Sequence, residues 1–269
     1  MTPKTHAHLS KADPVIRRLI QSVGPCPLTP LPDRSPFEAL ISAVAHQQLN
    51  GTAAETILRR FLALFHAGRF PLPEEVAAVP DEAIRAAGFS RSKLAAIRDI
   101  SAKALSGIVP HRDELASLPD DVIIERLTEC RGVGRWTVEM FLMFTLGRPD
   151  VLPVDDFGVR NGYRIAYGLD EMPSPKELLA AGERWRPYRT TASWYLWRAV
   201  DLARESAGPK PASKSKSKPS TAAKKNLATT RAAKPAPATA KRPAARVKSA
   251  KASKPRKPAK SKRAGGGRA

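Results

Sequence analysis

The sequence predicts an all-α fold, and three observations support this prediction. From residue 35 to residue 203, apolar residues recur three or four positions apart, the spacing that gives a helix one buried face. The pattern Ser-Pro-x-Glu occurs at residues 35–38 and 174–177. It combines a capping serine with a proline at the first helical position and a glutamate that completes a capping box. No segment of this region alternates apolar and polar residues as a half-buried strand does.

The charge of the chain is concentrated at its C-terminal end. The formal net charge is +21, from 46 basic and 25 acidic residues. No acidic residue follows Glu205, whereas 20 lysines and arginines lie between Lys210 and Arg268. Residues 1–206 therefore carry 26 basic and 25 acidic residues, a net charge of only +1. The polycation belongs to the C-terminal segment and not to the predicted folded part.

These differences divide the chain into three parts. Residues 1–34 are rich in proline and form a lead-in with one predicted helix at 14–22, whereas residues 35–206 form the folded domain. Its length suffices for one sizeable core or two small lobes. Residues 207–269 are mostly Ala, Lys, Pro and Ser, a composition that predicts disorder. Such a tail attracts polyphosphate non-specifically; the alternative is a solubilising or localisation tail.

Composition also limits the compartment. Cys26 and Cys130 are too few for a disulfide framework or a four-cysteine metal site, which favours a reducing compartment. The sequence contains no run of 18 apolar residues, and its start lacks the apolar stretch of a signal peptide. We therefore expect a cytoplasmic protein, associated with the nucleoid if it is bacterial, and no membrane partner.

Within residues 35–206, prolines and glycines separate the predicted helices. Two prolines exclude regular helix from residues 147–154. The predicted helices span residues 35–50, 52–65, 74–79, 81–87, 90–105, 113–117, 121–127 and 138–144, one from 156 past 165, one from 174, and one over 190–203.

The segment Cys-Arg-Gly-Val-Gly-Arg-Trp-Thr at 130–137 lies between two of these helices. Its Gly-x-Gly core predicts a tight turn, since glycine allows positive φ and close approach of the backbone to a ligand. Gly134 opens the following helix, whose first N–H groups lack partners within the helix and can bind an anion such as a phosphate. The alternative is a corner that only turns the chain.

Three further features could carry chemistry. The pair Asp155 and Asp156 heads a helix, where a carboxylate is favoured in its ionised form and could stabilise positive charge or orient water; the alternative is plain capping. The amide-rich residues 46–50 end a helix and could fill the gap left by an extruded base, or form an ordinary polar terminus. Five aromatic residues could sandwich a planar or cationic base, or pack in the core: Trp136, Phe157, Trp194, Tyr195 and Trp197.

Together, these motifs resemble the helix–hairpin–helix DNA glycosylase superfamily, and within it most closely 3-methyladenine DNA glycosylase II. The resemblance covers about residues 35–203 and implies a two-lobed helical fold. Its motifs are the glutamine-containing wedge at 46–49, Gly-Phe-Ser-Arg-Ser-Lys at 88–93, the hairpin at 130–137, the aspartate loop Leu-Pro-Val-Asp-Asp-Phe-Gly-Val at 152–159, and the terminal-helix segments 186–189 and 194–197.

The resemblance also implies roles for individual residues. Asp156 is the expected catalytic carboxylate and Asp155 a cap or supporting group beside it, although an alignment shift of one residue would exchange them. One departure from the family is Met140, which stands where a pocket aromatic is expected and alters which bases fit. The implied base pocket is Trp136, Met140 and Trp197; the wedge is Gln47, Gln48 and Leu49; the DNA contacts are Gly132, Gly134, Arg135 and Thr137; and main-chain carbonyls of Thr128, Cys130 and Val133 hold a structural monovalent cation.

By this resemblance the protein extrudes a damaged base from double-stranded DNA and hydrolyses the bond between an alkylated purine and its sugar. Relatives that also cut the strand place a lysine where this chain has Trp136, and no lysine lies between Lys103 and Lys176. We expect a monomer that works without strand cleavage and needs no cofactor beyond the cation. The alternatives are release of another base, such as hypoxanthine, ethenoadenine or uracil, and a non-catalytic DNA-binding or chromatin-associated protein.

Overall fold

The computed structural model describes residues 3–31, 33–49, 51–65 and 68–206, and every regular element in these ranges is helical. The prediction of an all-α fold is therefore confirmed. The segment 207–269, for which the sequence predicts disorder, lies outside the described residues. None of the described helices is both long and apolar enough to cross a membrane.

The helices follow one another with short connections. A π-helix, Leu142–Leu146, continues α10, and a 3₁₀ turn, Glu183–Trp185, follows α12. The α-helices of the described residues are α1 (Pro3–Ala12), α2 (Pro14–Val23), α3 (Pro36–His46), α4 (Gly51–Leu62), α5 (Pro73–Ala78), α6 (Asp81–Ala86), α7 (Arg91–Leu105), α8 (Arg112–Ser117), α9 (Asp120–Thr128), α10 (Arg135–Phe141), α11 (Phe157–Tyr167), α12 (Pro175–Gly182) and α13 (Arg189–Ser206).

Two separate apolar cores divide these helices into two lobes, as the sequence resemblance implies. The first lobe contains α3 to α10, with α7 packed against α3 and α5, and α10 packed against α9 and α3. The second lobe contains α1, α2 and α11 to α13, with α11 along α13. Trp197 of α13 packs against both cores and so lies at the boundary between the lobes.

The lead-in is part of the second lobe. The sequence predicts one helix within residues 1–34, but α1 and α2 both form there and bury Leu9 and Ile16 completely. The buried carboxylate of Asp13 caps α2 by accepting hydrogen bonds from the Val15 and Ile16 N–H groups. The prediction of a lead-in outside the domain is therefore wrong.

Two local predictions at α3 also need correction. Ser35 accepts a hydrogen bond from the Glu38 N–H, but the Glu38 carboxylate pairs with Arg34 at 3.4 Å instead of completing a capping box. The helix ends at His46 and not at residue 50, because the chain turns into an extended conformation at Gln47 and then a left-handed one at Gln48 (φ = 57°). At Ser174 the predicted capping box is complete.

Candidate active site

The hairpin joins α9 to α10 and presents the start of α10 to solvent. Gly132 has φ = 78°, and a Cβ built there would lie 3.2 Å from the Ala96 Cβ of α7. Gly134 is the N-cap of α10, as the pattern predicts, so the first N–H groups of this helix have no partner within the helix. These two glycines let the backbone turn tightly against α7 and leave the positive end of α10 accessible to an anion.

The two side chains at the start of α10 that were expected to contact DNA lie differently. Arg135 is mostly exposed, and its Nε donates to the Glu139 Oε1 at 2.9 Å. Burial raises the pKa of Glu139, an effect opposed by the Arg135 charge. Thr137 is buried and lies in the wall of a groove. Arg135 is therefore largely accessible to solvent although it is paired, whereas Thr137 is enclosed in the protein.

Asp156 lies at the junction of the two lobes, held by three hydrogen bonds from three segments. Its Oδ1 accepts from the Val159 N–H at 2.7 Å, which makes it the N-cap of α11, and from the Trp197 Nε1 at 2.8 Å. Its Oδ2 accepts from the Trp136 Nε1 at 2.7 Å. Three donors on rigid elements fix the carboxylate beside the hairpin.

The neighbouring Asp155 does not share this environment. Its side chain is exposed, and the capping role predicted for it belongs to Asp156. Gly158 provides the space for this arrangement, since a Cβ there would lie 2.8 Å from the Trp197 ring and 3.1 Å from the Asp156 Oδ1. The sequence Asp-Phe-Gly therefore carries one anchored carboxylate and one glycine that admits an indole.

An open groove of about 740 Å³ lies next to this carboxylate. Trp136 is 45% exposed and forms one wall, and Met140 and Phe144 follow one and two turns later. The Phe144 ring also stacks on Trp197, with centroids 6.0 Å apart. The groove is lined by Ala43, His46, Gln47, Gln48, Trp136, Thr137, Met140 and Phe144.

The other predicted aromatics lie outside the groove, and two of them pack in the core of the second lobe. Tyr195 is completely buried in the second lobe, where its hydroxyl donates to the Gly24 carbonyl at 2.9 Å. Trp194 packs edge-on against it. Phe157 is 66% exposed and does not line the groove. Of the five aromatics, Trp136 and Trp197 are the two that donate hydrogen bonds to the carboxylate.

The predicted wedge lies directly beside the hairpin. The Gln47 Nε2 donates to the Gly132 carbonyl at 2.9 Å. Gln48 is in the left-handed region, which is uncommon for a residue other than glycine, and Leu49 is 41% exposed. The structure thus brings together the wedge, the hairpin and the aspartate loop, which are far apart in sequence.

Helix α7 contacts both the wedge and the hairpin, and the sequence motifs do not predict these contacts. The Lys93 Nζ donates to the carbonyls of Ala45 and Gln47 at 2.9 and 2.8 Å. Two turns further along, the Asp99 Oδ2 accepts from the Arg131 N–H of the hairpin at 2.7 Å. Burial raises the pKa of Asp99, but its hydrogen bonds with Arg131 and Lys103 outweigh this, and the net shift is downward. Lys93, Asp99 and Lys103 recur at helical spacing in the sequence, and this pattern indicates a polar stripe along α7.

The carbonyls that the resemblance assigns to a cation lie at the end of α9 and in the hairpin. The negative end of a helix dipole favours a cation there. The Cys130 carbonyl accepts the Val133 N–H at 3.0 Å, which leaves it a second lone pair. Burial raises the pKa of the Cys130 thiol to about 11, so oxygen and not sulfur is the available donor. Main-chain oxygen atoms suit a hard monovalent cation, and the residues present fit this group.

Comparison with known proteins agrees with this geometry. Residues 41–187 match the family described as the HhH-GPD superfamily of base excision DNA repair proteins. The chain is 42% identical over 201 residues to DNA-3-methyladenine glycosylase 1 of Schizosaccharomyces pombe. The matched region covers 74% of this chain and 88% of the S. pombe protein. The chain belongs to the HhH-GPD superfamily.

Two solved structures within this class are similar to the chain. The S. pombe 3-methyladenine DNA glycosylase in complex with abasic DNA has a TM-score of 0.68 at 42% identity and covers 74% of this chain and 98% of that one. A DNA-3-methyladenine glycosidase from Bacillus halodurans has a TM-score of 0.67 at 36% identity, with coverages of 76% and 92%.

Proposed function

We propose that this chain is a DNA-3-methyladenine glycosylase of type II that hydrolyses the N-glycosidic bond of alkylated purines, chiefly 3-methyladenine, in base excision repair. The observation that carries the proposal is the Asp156 carboxylate, fixed by Trp136 and Trp197 beside an open aromatic groove and next to the hairpin. The similarity to 3-methyladenine glycosylases over three quarters of the chain supports it.

Substrate binding follows from the exposed parts of the site. Backbone N–H groups at the start of α10, together with Arg135, bind phosphates beside the lesion. The wedge takes the place of the extruded nucleotide, and Leu49 offers an apolar surface to the neighbouring bases. The extruded base then enters the groove between Trp136 and Phe144.

The carboxylate then acts on the sugar. As the bond between the sugar C1′ and the base nitrogen breaks, electrons leave with the base and positive charge develops on the sugar. Oδ1 of Asp156 already accepts two hydrogen bonds, whereas Oδ2 accepts only the Trp136 N–H among the described contacts. Oδ2 therefore faces the sugar and orients the water, whose oxygen bonds to C1′ and whose proton passes to the carboxylate.

Selectivity comes from the charge of the base. An N-alkylated purine is cationic and leaves with little acid assistance, and the faces of Trp136 and Phe144 favour a cation over its neutral parent. Met140 replaces an aromatic wall with a flexible thioether that adapts to other shapes. Release of a second lesion such as hypoxanthine, ethenoadenine or uracil is therefore our second candidate activity.

The site also favours hydrolysis over strand cleavage. An amine nucleophile is needed for cleavage, and the position used by lyase relatives holds Trp136. Lys93 and Lys103 are both engaged with carbonyls at the ends of other helices. We therefore propose that the enzyme is monofunctional.

The non-catalytic alternative does not account for Asp156. Capping of α11 needs only the bond from the Val159 N–H, and in a protein that only binds phosphates a carboxylate held by two further indole donors next to the hairpin would repel the like-charged backbone. A catalyst of glycosidic bond cleavage requires this carboxylate.

The proposal is tested by replacing each of the paired aspartates. Asp156→Asn removes the charge and presents an amide N–H towards one of the indole or backbone donors, so release of 3-methyladenine from methylated DNA should fall at least about 100-fold. DNA binding, measured by fluorescence anisotropy, should be retained. Asp155→Asn is the matched control and should stay within about threefold of wild type in the same assay. A large loss in the Asp155 variant alone would reassign the catalytic role.

Three further proposals concern the molecule outside the reaction. A monovalent cation held by the carbonyls of Thr128, Cys130 and Val133 would add positive charge near the phosphate-binding turn. We propose that the protein acts as a monomer, since one chain supplies the whole site. We also propose a cytoplasmic location, at the nucleoid if the source is bacterial.

A further inference from the structure

The contacts of Lys93 stand apart from the proposed reaction. This lysine lies in the first turn of α7, and its ammonium group lies at the end of α3, where it donates to the carbonyls of Ala45 and Gln47. Carbonyls at a helix C-terminus lack partners within the helix and favour a cation. Lys93 is thus the group that closes α3 just before the wedge begins.

The wedge is held from a second side by the hairpin. Gln47 donates its side-chain amide to the Gly132 carbonyl, while its own carbonyl accepts from Lys93. The next residue, Gln48, adopts a left-handed backbone conformation with φ = 57°. A residue with a side chain persists there only when its surroundings hold it. The two contacts of Gln47 provide that restraint on one side.

The same face of α7 also supports the hairpin. Ala96 lies one turn after Lys93, and its side chain packs against Gly132 so closely that a Cβ at Gly132 would lie 3.2 Å from the Ala96 Cβ. Asp99 accepts from the Arg131 N–H, and the Lys103 ammonium donates to the Glu129 carbonyl. These positions lie three or four residues apart and therefore on one side of the helix. One helix face thus contacts both segments that meet the DNA.

We propose that Lys93 is a positioning residue for base extrusion: together with Gln47 it locks the wedge, residues 47–49, to the hairpin, so that wedge insertion and phosphate binding occur as one rigid unit. The inference rests on the proposed glycosylase function. It assigns the lysine to the extrusion step and not to cleavage of the glycosidic bond, because the lysine lies behind the wedge and, among the described residues, its ammonium group donates to main-chain oxygen atoms. Burial lowers the pKa of Lys93, in agreement with an ammonium group that is partly buried behind the wedge.

The distinguishing measurement compares a lesion that must be unpaired with one that is already unpaired. The probe is an oligonucleotide duplex containing a single 7-methylguanine, placed opposite cytosine or opposite a tetrahydrofuran abasic analogue. Extrusion is costly in the first duplex and less so in the second. Single-turnover release at saturating enzyme isolates the steps after binding.

Lys93→Met keeps the aliphatic stem and removes the ammonium group. We expect about a tenfold slower release opposite cytosine, the order of effect of losing a charge-assisted hydrogen bond, and less than about twofold opposite the abasic analogue. Lys93→Arg, which can still donate to carbonyls, should recover most of the rate. Lys176→Met is the matched control: it removes the same charge from an exposed position on α12 and should leave both rates unchanged.

Combining Lys93→Met with Gln47→Leu tests whether the two residues act together. If both act on one lock, the double variant should lose less than the product of the single losses. Equal losses on both duplexes, or no loss on either, would overturn the inference, and an unchanged melting temperature separates these outcomes from misfolding. If wild type releases no base from either duplex or from methylated DNA, the proposed function fails instead.

Discussion

The two oxygen atoms of Asp156 accept hydrogen bonds from different donors, so they are not equivalent. Oδ1 receives the Val159 N–H and the Trp197 indole, whereas Oδ2 receives only the Trp136 indole among the described residues. The capping and catalytic interpretations of this aspartate are therefore not alternatives. The capping bond fixes one oxygen and leaves the other for chemistry.

Trp136 has two functions in this arrangement. Its face forms a wall of the groove, and its Nε1 anchors the carboxylate. A lysine at this position would extend an amine towards the sugar, whereas an indole has no lone pair to attack with. We therefore propose that this residue favours hydrolysis over formation of a covalent intermediate.

Borohydride trapping checks this prediction. Because no amine lines the groove among the described residues, we expect no covalent protein–DNA adduct when the protein releases base in the presence of sodium borohydride. Trp136→Lys is the informative companion, since it restores the amine at the loss of one anchor of Asp156. An adduct formed by the wild-type chain would show that a nucleophilic amine exists and would refute monofunctional hydrolysis.

At the scale of elements, local sequence signals located most helices well. Ser90 and Ser174 cap α7 and α12 through hydrogen bonds within four residues, and such interactions are visible in sequence. The missed helix α1 has weak local signals, with only Thr5 and Leu9 buried. It packs on α2 and on the 3₁₀ turn at residues 183–185, and a contact across more than 170 residues leaves no periodic pattern.

The candidate site shows the same difference between local sequence signals and contacts that join distant segments. The motifs identified Asp156, Trp136 and the wedge because each is a short segment with recognisable chemistry. The bond from Gln47 to Gly132 and the two bonds from Lys93 join separate motifs. The sequence contains all three motifs, but their mutual contacts depend on how α3, α7 and the hairpin pack, which spacing alone does not define.

Asp13 is the element-scale contact whose removal should be most costly to the second lobe. It caps α2 and also accepts hydrogen bonds from the Trp185 Nε1 at 2.9 Å and from the Tyr167 hydroxyl. Burial alone would raise the pKa of Asp13, but these hydrogen bonds outweigh burial and lower it from 3.8. Asp13→Ala leaves buried donors unpaired and should reduce the free energy of unfolding by about 3 kcal/mol at pH 7.

The stabilisation that Asp13 contributes should depend on pH in a defined direction. A lowered pKa in the folded state stabilises the protein above the unfolded value, and this contribution is lost as the pH falls through the folded pKa. The difference between wild type and Asp13→Ala, measured by urea unfolding, should therefore shrink as the pH falls below 3.8. The exposed Asp170 supplies the control, Asp170→Ala. A difference that does not change with pH would mean that the carboxylate is not ionised in the fold.

At the scale of the whole molecule, the site depends on both lobes. The first lobe supplies the groove, the wedge and the hairpin, while α11 and α13 of the second lobe supply Asp156 and Trp197. Neither lobe contains a complete site. The relative position of the lobes therefore sets the distance between the groove and the carboxylate. Trp197 packs on both cores, and hydrogen bonds between residues 148–151 and the start of α13 also join the two regions.

The last prediction concerns how charge is distributed along the chain. Residues 1–206 are nearly neutral, so they bind DNA mainly through a few directed contacts, whereas the C-terminal segment carries 20 basic residues and no acidic one. A chain ending at Ser206 should bind undamaged DNA at least about tenfold more weakly at 50 mM salt, with a shallower salt dependence, because fewer counterions are released. Its single-turnover release rate at saturating enzyme should stay within about twofold of the full chain, since every residue of the site remains.

A full-length variant with its tail lysines and arginines changed to glutamine separates charge from length. It should bind like the truncated chain if counterion release is the mechanism. If the glutamine variant binds like wild type, the length of the tail and not its charge determines DNA affinity. If truncation leaves the salt dependence of binding unchanged, the tail does not contact DNA, and the alternative of a solubilising or localisation segment is correct. A fall in single-turnover rate on truncation would place part of the tail in the chemical step, which the geometry of residues 1–206 does not require.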